Sequence, residues 1–170
     1  MIVPAAPALL AAAVLLVGCA GTTPGADSAL ERGAPVDLDL ADITGHAFAL
    51  SELRGHPVLL VAFATYDEAS LLALTTLQAW SSNERRIQIL AVAAQPQAKT
   101  LLPLHREALG LTIPLAYDPK DAWQNGESDL ERVSVIPTYV LLDAQGRVLD
   151  RHEGPLEQKP LEEFVASARE

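Results

Sequence analysis

Two apolar runs of strand length, Pro57 to Phe63 and Ile87 to Ala93, constrain this chain more than any other feature. A strand that is apolar at nearly every position has both faces covered, which is the habit of central strands in layered α/β domains. Between the runs, Leu71, Leu72, Leu74, Leu77 and Trp80 recur at helical spacing from about Asp67 onward. A strand, a helix and a second strand of this kind predict a βαβ unit with its two strands parallel.

The flanking segments extend that unit. Val36 to Leu40 alternates apolar and acidic residues, and Asp42-Ile43-Thr44-Gly45 offers a turn before a second short strand at His46 to Leu50, so an N-terminal β-hairpin is expected. Ser51 to Arg54 reads as a short helical turn that Gly55 ends. Lys99 to Leu109 reads as a helix closed by Gly110, and Leu111 to Leu115 leads into a short segment ending at Asp118. Asp121 to Glu131 is polar and reads as loop and short helix. Thr138 to Leu142 and Arg147 to Arg151 form two strands about the turn Asp143-Ala144-Gln145-Gly146, and a helix from about Leu156 to Arg169 closes the chain. The resulting class is α/β, with a mixed sheet that is parallel in its centre and antiparallel at the final hairpin.

The formal charge of −10 lies entirely beyond residue 18, because Met1 to Gly18 has no charged side chain. So acidic a body is repelled by phosphate backbones and by anionic lipid surfaces, which argues against nucleic-acid partners and electrostatic membrane docking. The stretch Ala5 to Val17 has the length of a signal-peptide core and falls short of the ~20 residues that span a bilayer. It ends in Leu16-Val17-Gly18-Cys19, where Cys19 is the only cysteine of the chain. This junction resembles the lipobox of bacterial lipoproteins. The resemblance implies a signal peptide at 1–18, a lipidated Cys19 with a Gly-, Thr- and Pro-containing tether through residue 33, and a domain at 34–170. It also implies attachment in the cell envelope, with Ala20 after the cysteine leaning toward the outer membrane facing the periplasm. The alternatives are an uncleaved anchor in which Cys19 is an ordinary small residue, and plain secretion.

The stretch from Val58 to Ser70 (VLLVAFATYDEAS) resembles the strand-to-helix active site of membrane-tethered, thioredoxin-like proteins of the cytochrome-c-maturation type and their redoxin relatives. Leu50 to Val58 before the strand, Gly110 to Pro114, and Val133 to Thr138 with Leu142-Asp143 and Gly146 strengthen the likeness, which covers roughly residues 36–170. It implies a thioredoxin-like fold, a mixed central sheet flanked by helices, and thiol-disulfide oxidoreductase ancestry. In that family the helix opens with Cys-x-x-Cys, since unpaired amides and the positive dipole end stabilise a thiolate. Here the two positions hold Asp67 and Ser70, and neither a carboxylate nor a hydroxyl forms a mixed disulfide.

Asp67 reads as a helix N-cap, with Thr65 and Glu68 as an alternative capping box. Adjacent on a helix, Asp67 and Glu68 do not face each other as an acid–base pair. The resemblance makes Pro137 a cis-proline facing the helix, with Val135 where the family often has Gly. Leu71, Ala73 and Thr75 replace residues that are commonly Arg, Glu and Pro. Tyr66, Leu71, Ile136 and Pro137 are therefore candidates for an apolar contact surface; the alternative is that Leu71 packs under a neighbouring loop. His46, His56, His105 and His152 stand singly, without the paired spacing of a metal site, so no metal and no cofactor is expected. Trp80 and Trp123 read as core or rim residues. The functional expectation is a lipid-anchored, extracytoplasmic, non-catalytic binding or accessory module with a protein or peptide partner at the cis-proline groove. The alternative is an oxidoreductase-pathway protein with a thiol-independent mechanism, and a purely structural envelope protein is a third reading.

Overall fold

The computed structural model of the chain describes residues 33–168. The expected signal segment Met1 to Gly18, Cys19 and the tether as far as residue 32 lie outside the described residues, as does Arg169 at the expected end of the last helix.

One seven-stranded sheet organises the domain. In chain order its strands are β1 (Asp39–Asp42), β2 (Ala47–Ala49), β3 (Val58–Phe63), β4 (Gln88–Ala93), β5 (Leu115–Tyr117), β6 (Thr138–Leu142) and β7 (Val148–Glu153). Their spatial order is β2-β1-β5-β4-β3-β6-β7. The two apolar runs are the paired parallel strands β3 and β4, with Leu60 opposite Leu90, and β5 continues the parallel set beside β4. All other neighbours are antiparallel. Every residue of β3 is buried, because side chains alternate into two separate cores.

Leu59, Val61 and Phe63 point into the larger core, under helices α1 (Glu68–Ser81), α2 (Ala98–Leu109) and α4 (Gln158–Phe164). Val58, Leu60 and Ala62 point into the other, which Val36, Leu38, Leu50, Trp123 and Leu130 cover without a long helix. Trp123 belongs to the single-turn helix α3 (Ala122–Asn125), and its indole N–H donates to the Glu131 carbonyl at 2.9 Å. Both tryptophans are buried core residues.

Element boundaries differ from the sequence expectation in three places with a visible cause, while β2 (Ala47–Ala49) and the short helical turn (Leu50–Leu53) shift by one residue. The first strand is displaced toward the C-terminus, from Val36–Leu40 to Asp39–Asp42. Val36, Leu38 and Leu40 are buried as their alternation implies, but the Val36 amide bonds to Gly146 and the Asp37 carboxylate takes the Leu38 and Ser51 amides, so this stretch packs without joining the ladder. The seventh strand starts at Val148 and not at Arg147, since Asp143 draws the Arg147 amide into the preceding turn at 2.9 Å and its guanidinium at 2.7 Å. The closing helix starts only at Gln158, and from Val165 to Ala168 it tightens into a 3-10 turn. Leu156 lies outside it as a buried plug, its amide 3.4 Å from the Tyr139 hydroxyl.

Candidate functional site

The site forms where β3 gives way to α1. The Asp67 amide donates to the Ala64 carbonyl at 3.3 Å, a tight turn that leaves Tyr66 75% exposed. Asp67 itself stays in extended backbone, and its Oδ2 accepts the Ser70 amide at 2.6 Å. This is an N-cap bond, and it satisfies one of the orphan donors of the first turn. Ser70 is fully buried, and its Oγ accepts the Ala64 amide at 3.2 Å. Asp67 and Ser70 are thus tied to the strand–helix junction and to each other.

Thr65 does not cap the helix. Its amide donates to Gln95 Oε1 and its Oγ1 accepts from Gln95 Nε2 at 3.0 Å, so the alternative capping box with Glu68 does not form. Gln95 is buried and sits just past β4, level with Thr65 just past β3. The pair ties the ends of two parallel strands together directly beneath the exposed turn. No sequence cue singles out Gln95 beyond its place after an apolar run.

The cis-proline loop approaches from the other side of β3. Ala62 pairs with Thr138, and continuing that antiparallel register sets Pro137 and Ile136 beside Phe63 and Ala64. The Ile136–Pro137 peptide is cis. Three contacts hold this loop: Gly154 donates to the Pro137 carbonyl at 2.8 Å, Thr138 Oγ1 to the Val135 carbonyl at 2.5 Å, and the Arg151 guanidinium to the Glu131 and Arg132 carbonyls at 3.0 Å each. Pro137 is buried, Ile136 half-buried and Val135 exposed.

Leu71 has a different neighbourhood. It is 38% exposed and lies seven residues before Gln78, on the same stripe of the helix. Gln78 Oε1 accepts the Thr112 and Ile113 amides at 2.9 and 3.2 Å, and its Nε2 donates to Thr112 Oγ1 at 2.7 Å. That stripe therefore faces the α2–β5 connection, on the β4 side of β3. Ile136 and Pro137 lie on the β6 side. Leu71 thus shares its stripe with a residue bound to the α2–β5 connection, whereas Ile136 and Pro137 follow from the register of β6 with β3.

A titratable group lies under the site. The His105 ring on α2 stacks on Phe63, the last residue of β3, with centroids 6.2 Å apart and planes inclined by 24°. Its Nε2 is buried without a hydrogen-bond partner, and burial holds its pKa below the ordinary value. Among the described residues no three His, Cys, Asp or Glu side chains gather as a metal site, and no helix is long and apolar enough to cross a membrane. What the site offers is an exposed aromatic ring, a capped helix start and a cis-proline loop, with no sulfur among the described residues.

No family model matches the chain. Among curated proteins it is 26% identical over 135 residues to the thiol-disulfide oxidoreductase ResA of Geobacillus kaustophilus, covering 78% of this chain and 75% of that one. Among solved structures it is similar to a DsbF homologue from Corynebacterium diphtheriae, with a TM-score of 0.66 and 23% identity over 85% of this chain and 96% of that chain. StoA from Bacillus subtilis is a second, with a TM-score of 0.64 and 18% identity over 78% of this chain and 98% of that chain.

Proposed function

We propose that this chain, a member of the thioredoxin-like family related in sequence to a thiol-disulfide oxidoreductase, is a lipid-anchored binding or accessory module of the cell envelope that performs no thiol chemistry. The observation that carries the reading is the state of Asp67 and Ser70. Their polar atoms cap the helix and close the junction, and no residue from 20 to 170 is a cysteine. Disulfide exchange needs a thiolate to attack a sulfur and form a mixed disulfide, and that step has no reactant here.

The recognition surface in this reading is the ring of Tyr66 above Asp67, with Ile136 and Pro137 on one side and Leu71 on the other. An exposed aromatic on a turn held by Asp67, Ser70 and the Thr65–Gln95 pair is a preorganised anchor, and rigid aromatics of this kind concentrate interface energy. Anchorage at Cys19 places the module at a membrane surface, where its partners would also reside.

A photo-crosslinking residue in place of Tyr66, introduced into the full-length protein in intact cells, tests the surface. The expected result is a discrete protein adduct that is absent when the probe replaces the exposed Thr44 in the β1–β2 turn. Absence of an adduct at Tyr66, or the same adducts from both positions, contradicts the reading.

A further inference from the structure

At the end of the sheet away from Tyr66 the parallel ladder is interrupted. β4 runs from Gln88 to Ala93, yet β5 pairs only with Ala91, Val92 and Ala93. Pro114 is the reason. The Ala91 amide bonds to the Pro114 carbonyl at 3.0 Å, and extending the parallel ladder one step earlier would require an N–H from Pro114, which has no hydrogen to give. The first half of β4 therefore has β3 on one side and a slot on the other.

The slot is a cavity of about 510 Å³, within the ~300–1,000 Å³ typical of small-molecule sites. Side chains from both cores line it: Ile87, Ile113 and Leu115 from one face, Phe48, Leu53 and Leu90 from the other. Among the described residues, the charged ones in its wall are Asp42 and Glu84, with no Lys, Arg or His. The Asp42 turn spends a single oxygen: Oδ1 accepts from the Thr44 amide, the Thr44 hydroxyl and the His46 amide, which leaves Oδ2 for a further donor. The Thr44 hydroxyl bond, with the His46 and Thr44 amides, holds the Asp42 carboxyl below its ordinary pKa against a smaller opposing effect of burial, so it is ionised at neutral pH. The floor is apolar, while the Asp42 carboxylate presents an acceptor at its edge.

We propose that this slot is a binding site for a small cationic amphiphile, an alkyl- or arylammonium whose apolar body fills the gap beside β4 and whose N–H donors meet Asp42. An anionic amphiphile of the same body would set its carboxylate against those of the wall. The site is distinct from the Tyr66 surface and independent of the function proposed for it.

Octylammonium and octanoate, equal in chain length and opposite in charge, test the assignment. Each is titrated separately into the protein below its micellar range, and methyl shifts of Leu53, Ile87, Ile113 and Leu115 are followed by NMR. Octylammonium is expected to shift these methyls saturably and to bind at least about tenfold more tightly than octanoate, a difference of ~1.4 kcal/mol. Asp42→Asn keeps an Oδ1 acceptor for the turn and replaces Oδ2 by a donor, so it should abolish that preference while unbound methyl positions stay the same. Equal binding of both probes, no saturable shift at these methyls, or a preference that survives in Asp42→Asn overturns the proposal.

Discussion

Asp67 and Ser70 hold the start of α1 with bonds that need oxygen. Replacing Asp67 by Ala removes the acceptor for the Ser70 amide and should cost about 1 kcal/mol, the usual effect of losing an N-cap. Replacing Ser70 by Ala strands the Ala64 amide in a buried position, for which roughly 1–3 kcal/mol is expected. Urea denaturation of each variant measures both, and unchanged midpoints would show that the junction is held by other contacts. His105 adds a pH dependence at the same scale. Its folded pKa lies below the unfolded value of 6.5, so the folded state resists protonation, and stability is full above 6.5 and falls as pH drops through the interval down to the folded value. His105→Leu should flatten that part of the stability profile; a profile identical to that of the parent protein would mean that the ring is hydrated.

At the scale of elements, α1 separates its residues by stripe. Leu74 is fully buried in the larger core, and Leu74→Ala should cost about 2–5 kcal/mol. Leu71 stands outside that core at 38% exposure, and Leu71→Glu should change stability by no more than about 0.5 kcal/mol. Thermal melts of the pair decide between a surface Leu71 and one that is packed under the α2–β5 connection; a loss of several kcal/mol from Leu71→Glu would establish the latter. The elements most legible in the sequence were those whose pattern is set by burial alone. The two apolar runs became β3 and β4, because a strand of this length covered on both faces is apolar at nearly every position, and Leu74, Leu77 and Trp80 became the buried face of α1. The first strand was less legible for the same reason. Val36, Leu38 and Leu40 alternate because they are buried, and burial says nothing about which backbone groups join a ladder. The reciprocal bonds of Thr65 and Gln95 were out of reach, since they join residues thirty apart whose meeting depends on the parallel pairing of the strands before them.

Over the whole molecule, a thioredoxin-like fold brings the β3–α1 junction and the cis Ile136–Pro137 loop together around residues that carry no thiol. Cys19 precedes that domain in the sequence, and the proposed lipid anchor makes its own prediction. Cys19→Ser should move the protein from the membrane fraction to the soluble one or leave it unprocessed, as read by fractionation and intact mass. Unchanged membrane attachment with unchanged mature mass would rule out acylation there. The same variant is free of cysteine and so provides the background for the central claim. The direct measurement is the rate of insulin disulfide reduction by Cys19→Ser, beside the same chain carrying Asp67→Cys and Ser70→Cys. The account predicts no rate above that of the reductant alone for the first, and a clear acceleration with a reversible internal disulfide for the second, because Asp67 and Ser70 already meet within hydrogen-bond distance across the first helical turn. Turnover by the cysteine-free chain, or two introduced thiols that fail to pair, would contradict it.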